Sequence, residues 1–186
     1  MDGFDPVRRL CVAVGAEECA GDDSPAWIVD VVERASMAAG LDRITLQVLP
    51  AGVLLVLNSG VNEARVVTDL TRELHNVLWR RNRRLDGGQR LRCRISFHQG
   101  LVRLTDEGFE GQAVTAVGDL CASDDLRAEL AGSPQHDLAM IISGQLLDDL
   151  AYPESAGLHR GQFRQVTVTV PGRLIPACIY TLGPAT

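Results

Sequence analysis

The sequence predicts an α+β domain of ferredoxin-like plan, a βαββαβ unit whose antiparallel sheet is covered by helices, with further strands added at the C-terminal end. Three observations predict it. Two long amphipathic helical stripes lie within the first hundred residues, and each is flanked by β-rich runs. A turn of Pro50, Ala51 and Gly52 joins two of those runs as a hairpin. Two more β-rich runs, Phe163 to Val170 and Leu174 to Leu182, close the chain.

Arg9 to Val14 is a short apolar run and predicts a buried strand. Ser24-Pro25 then offers an N-cap and a first-turn proline, and Trp27, Ile28, Val31, Val32 and Ala35 recur at helical spacing until Gly40 stops the helix. Ile44 to Leu49 and Val53 to Leu57 form the hairpin. From Asn62 to about Leu85, Val66, Val67, Leu70, Leu74, Val77 and Leu78 line one face of a second helix, which Asp86-Gly87-Gly88 ends. Leu91 to Phe97 alternates apolar residues with Arg92, Arg94 and Ser96, as a strand with one wet face does, and Leu101 to Leu104 is expected as its hairpin partner. The second half predicts a helix from Ala113 to Ala131 with a break near Ser123, a strand over 138–142, a short helix over 145–151 and the two final strands.

A single domain spanning 1–186 is expected, with short flexible ends at about 1–7 and 183–186. No apolar run approaches the roughly 18 residues that span a bilayer, and the first thirty residues lack a leader pattern, so a cytoplasmic protein away from membranes is expected. The five cysteines, Cys11, Cys19, Cys93, Cys121 and Cys178, show no metal-ligand spacing and are expected to be reduced, and no cofactor is expected. All eighteen basic residues are arginine, which fits a GC-rich bacterial gene and leaves no side-chain amine for Schiff-base or phosphate chemistry. A net charge of −6 argues against a general nucleic-acid binder.

The run Arg94-Ile95-Ser96-Phe97-His98-Gln99-Gly100-Leu101-Val102 resembles a strand and turn of class III adenylyl and guanylyl cyclase catalytic domains. Gly108-Phe109-Glu110-Gly111-Gln112-Ala113-Val114 resembles the Gly-rich start of that family's next helix, Leu120 its continuation, Leu10 to Gly21 its first strand and turn, and Leu49 to Leu57 its second hairpin. The resemblance covers roughly residues 8 to 150 in the right order. It implies chemistry in which two aspartates hold two metal ions against a nucleoside triphosphate.

The positions that the resemblance assigns to those aspartates carry Gly15 and Ala51 here. The transition-state asparagine and arginine correspond to Thr115 and Asp119, and the base-recognising lysine to the stretch from Thr45 to Gln47. Glu17, Glu18, Asp22 and Asp23 lie beyond the first position and are expected to form a solvated acidic turn. His98 is expected in a tight turn before Gly100, hydrogen-bonded to backbone; His75 on a helix flank, and His136 and His159 in loops, belong to no nucleophile signature. Trp79 is expected in the core or an interface.

The expectation for function is therefore a degenerate, non-catalytic cyclase-like module that regulates through protein contacts, with a homodimer or another protein as partner. Its interface is expected at Pro50, Ala51, Gly52 and Val53 together with Gly111, Gln112, Ala113, Val114 and Thr115. The alternative is a sensor that binds a nucleotide or cyclic nucleotide in the remnant cleft without turnover. A third reading, weaker on charge, is an anion or nucleic-acid contact at Arg80, Arg81, Arg83 and Arg84, with Arg90, Arg92 and Arg94 close behind.

Overall fold

The computed structural model describes residues 5–17, 26–41, 44–50, 52–85, 90–150 and 162–181. Strand β1 (Val7–Ala16) is followed by helix α1 (Ala26–Ala38), the hairpin β2 (Thr45–Leu49) and β3 (Gly52–Val56), and helix α2 (Glu63–Asn82). Strand β4 (Cys93–Thr105) and the short β5 (Gly108–Glu110) lead to helices α3 (Gln112–Cys121) and α4 (Asp124–Gly132). Strand β6 (Leu138–Ser143), helix α5 (Gly144–Asp149) and the hairpin β7 (Phe163–Val170) and β8 (Arg173–Thr181) complete the chain.

The sheet runs β2-β3-β1-β4-β6-β8-β7, and β5 pairs with the far end of β4. Its first four strands have the ferredoxin-like order, each pair antiparallel. The sheet is not antiparallel throughout, because β6 lies parallel to β4. A parallel neighbour needs a crossover, and α3 with α4 supplies it.

Helices cover both faces. On one, α1 and α2 bury Ile28, Val31, Leu70 and Leu74 against Leu10, Val12, Phe97 and Met140. On the other, α3 and α4 bury Leu120, Leu126 and Leu130 against Ile141, Val168 and Ile179, while Val117 meets Ala13 and Leu54. This second layer corrects the expected wet face of β4. Arg94 and Ser96 are buried under α3, where Ser96 Oγ donates to the Val117 carbonyl at 2.7 Å. Arg92 is half-buried and donates to the carbonyls of Leu130, Ser133 and His136.

Leu101 to Leu104 also differs from expectation, since it continues β4 rather than turning back. Gly100 sits in mid-strand because α3 closes on it: a Cβ there would lie 3.0 Å from the Ala113 Cβ. The turn comes later, at Asp106 and Glu107, and β5 is the returning strand. The helix break falls where expected. Ser123 caps α4, its Oγ accepting from the Leu126 N–H at 3.4 Å. Asn62 caps α2 in the same way through the Arg65 N–H at 3.0 Å. Ser24, Pro25 and residues 86–88 lie outside the described residues.

Candidate functional site

Gly15, near the end of β1, faces Gly52 across one ladder and Arg94 across the other. Gly52 has φ +153°, and a Cβ there would fall 2.1 Å from the Val14 carbonyl oxygen, so the hairpin closes on β1 only with glycine. These residues, with Leu49, Gly118 and Arg127, line a small cavity of about 80 Å³. The Arg94 guanidinium stands at its wall. It donates to the carbonyls of Cys121 at 2.8 Å and Ala16 at 3.2 Å, and its Nε lies 2.5 Å from Glu17 Oε1. Glu17 is thus not part of a solvated turn, as a buried guanidinium recruits the nearest carboxylate. Glu18, Asp22, Asp23 and Ala51 lie outside the described residues.

On α3, Thr115 is exposed and its hydroxyl donates to the Gly111 carbonyl at 3.4 Å. Asp119 Oδ2 pairs with Arg173 Nη2 at 3.2 Å. Arg173 opens β8, and no local pattern in the sequence could tie it to a residue of α3. The β2–β3 hairpin and the start of α3 do meet: Gln47 Oε1 accepts from the Phe109 N–H at 3.2 Å, and Leu49, Phe109 and Val114 pack together. Of the expected interface residues, Gly52, Val53 and Ala113 are buried within the domain, Gly52 against the Val14 backbone, Val53 in the core under α1 and α2, and Ala113 in the core under α3. Pro50, Gly111, Gln112 and Thr115 are exposed, and Val114 is half-buried.

Beside them a larger cavity of about 600 Å³ runs along β4, lined by Arg8, His98, Gln99, Gly111, Gln112 and Gln145 among others. His98 is in mid-strand, not in a turn, and its Nδ1 lies 2.9 Å from the Ser143 hydroxyl rather than from backbone. Burial, followed by the charges of Arg173 and Arg8, lowers its pKa below the usual imidazole value. Gln99 is held by Glu63 at 2.7 Å and by Arg8 at 2.9 Å, and Arg8 in turn by Asp149 at 2.9 Å.

Solved structures share this fold. An adenylate/guanylate cyclase/hydrolase from Silicibacter pomeroyi superposes with a TM-score of 0.62 at 16% identity, over 96% of this chain and 100% of that one. The guanylyl cyclase Cya2 gives 0.61 at 14%, over 96% and 94%. The chain has the fold of a nucleotidyl cyclase domain. The monomeric guanylyl cyclase domain of the RhoGC fusion protein from Blastocladiella emersonii also matches, with a TM-score of 0.53 at 8% identity over 96% and 98%. No family model and no curated protein sequence matches the chain.

At the end of β1 the described residues do not fit the metals that a cyclase domain implies. Gly15 offers no ligand, the Glu17 carboxylate is engaged by Arg94, and a buried guanidinium repels a dication. Among the described residues no three His, Cys, Asp or Glu side chains come together to hold a metal ion. Cys11, Cys93, Cys121 and Cys178 are buried free thiols, and burial pushes Cys11 up to about 12. The expected arginine patch is dispersed within this cyclase fold. Arg81 pairs with Asp30 at 2.8 Å, Arg83 stacks 4.7 Å above the exposed Trp79 ring, and Arg90 holds the carbonyls of Pro134 and Gln135. Arg80 and Arg84 are exposed. No helix among the described residues is long and apolar enough to cross a membrane.

Proposed function

We propose that this chain is a cyclase-fold module without cyclase activity, which acts as a regulatory partner through protein contacts and pairs with a second copy of itself. One observation carries the reading. At the end of β1, where the resemblance requires a metal-binding carboxylate, Gly15 lies beside the buried Arg94, whose guanidinium donates to the Cys121 and Ala16 carbonyls and forms an ion pair with Glu17. A cation fixed there opposes the two dications on which phosphate activation depends. The α3 face supports the same reading, because Asp119 holds the position that the resemblance assigns to a phosphate-stabilising arginine, and its carboxylate is paired with Arg173.

The test is incubation of the purified chain with ATP or GTP and magnesium or manganese. No cyclic product is expected. Metal-dependent cyclic nucleotide that disappears in Glu17→Gln would overturn the reading. A second reading, a nucleotide or cyclic-nucleotide sensor without turnover, draws support from the cavity beside β4, whose volume of about 600 Å³ suits a small molecule. A thermal-shift series with nucleotides separates the two, since a ligand bound only by the folded state raises the midpoint.

A further inference from the structure

Helix α2 lies over β6 and over the segment that leads into β4. Asn82 exchanges hydrogen bonds with Leu91 N and O at 2.8 and 2.9 Å, and Thr71 Oγ lies 3.3 Å from the Met140 sulfur. His75 of α2 lies within electrostatic reach of His136 and Asp137, in the turn before β6. His136 is 8% exposed and Asp137 4%, while His75 is half-buried. Both ring nitrogens of His75 and Nδ1 of His136 are buried with no hydrogen-bond partner among the described residues. Buried polar atoms are paired in the great majority of native structures, so three orphaned imidazole nitrogens call for a reason.

The charges around them are already committed. Asp137 forms an ion pair with Arg90, and its carbonyl accepts from the Cys93 N–H at 2.8 Å. Arg92 is bound to three carbonyls, including that of His136. From α1, Asp30 is engaged with Arg81, and on α2 itself Arg72 is engaged with Asp69 and Glu73. The Asp137 carboxylate is therefore shared with Arg90, and a proton on His75 would set a second cation against that one carboxylate.

We propose that His75, with both ring nitrogens buried beside His136 and Asp137, is a pH-operated latch between α2 and the sheet, closed while its ring is neutral and loosened when that ring takes up a proton. Burial lowers the His75 pKa from 6.5, and the charge of His136 lowers it further against the opposing effect of Asp137. The open state therefore binds protons more readily than the closed one. The latch is fully closed above the solution value of about 6.5 and gives way as pH falls through the lowered pKa. A second cation beside Arg90, in surroundings that screen poorly, would be uncompensated. The loosening is expected to centre on the stretch that carries His75, while the start of α2 keeps its Asn62 cap. Leu74 and Leu78 are buried as fully as Val67 and Leu70, so the helix is displaced there rather than released from the core altogether.

Amide hydrogen exchange on the full chain, at about pH 7.5 and about pH 5.5 and corrected for the intrinsic rate, tests this. Peptides covering 74–82 should lose protection at the lower pH, while those from β1 and β8 keep theirs. In a His75→Leu, His136→Leu double variant the pH dependence of 74–82 should vanish. An unchanged pH dependence in that variant, constant protection in the wild type, or equal loss throughout the chain would each overturn the proposal. If the double variant does not fold, His75→Gln serves, with partial flattening expected and an unaltered profile counting against the latch. Imidazole titration by NMR adds a direct reading, because a His75 that titrates at the solution value contradicts a closed, neutral state.

Discussion

Replacing Arg94 by methionine would leave the Glu17 carboxylate without its partner and the Cys121 and Ala16 carbonyls without donors. Breaking a buried pair on one side costs about 3 kcal/mol, which denaturant titration should show as a lowered midpoint at constant slope. Arg94→Lys should recover little of that loss, since an ammonium does not reach three acceptors from a planar fork. Gly52→Ala should cost more than about 1 kcal/mol, because its Cβ would collide with the Val14 carbonyl. These two residues were unequally legible in the sequence. Gly52 stood in an obvious hairpin turn. Arg94 alternated with apolar residues and so read as solvent-facing, because an alternation fixes which residues share a face but not whether that face is wet. The pairing of Asp119 with Arg173 carried no local signal at all, joining residues 54 positions apart.

Among the elements, those with strong caps and long stripes were read well. The Asn62 start of α2 and the Ser123 break between α3 and α4 are cases in which a side-chain oxygen takes an otherwise orphaned N–H. Ser123→Ala should accordingly cost about 1 kcal/mol in chemical denaturation, with the rest of the helical signal unchanged. Strand β4 was misread at Gly100 because glycine is used both for turns and for close approach, and only the position of α3 decides between them. The partner of β4 then moved to the three-residue β5. The candidate site was legible only as the positions that the resemblance assigns, Gly15, Thr115 and Asp119. What now occupies the surroundings of those positions depends on tertiary contacts and had to be seen.

For the whole molecule, the ferredoxin-like core and the cyclase resemblance were readable because strand order follows from a few periodic segments in sequence. The parallel insertion of β6 and the two-sided helix cover were not, since both depend on how the second half crosses the sheet. Self-association belongs to this scale. We expect light scattering at tens of micromolar to give a dimer, and Thr115→Arg at the exposed start of α3 to shift it toward monomer; a monomeric wild type would redirect the proposed function to an unlike partner. One structural relative is itself a monomeric guanylyl cyclase domain, so the fold alone does not decide the matter. The long central ladder has another consequence, for synthesis on the ribosome. Strand β1 is made first, yet one of its edges is completed only by residues 93–102. Until that stretch leaves the exit tunnel, β1, with Leu10 to Val14 destined for the core, has the β2–β3 hairpin on one side and a bare edge on the other. Slow translation between residues 57 and 102 would lengthen that exposure, so codon usage there should affect the soluble yield more than codon usage after Ser143.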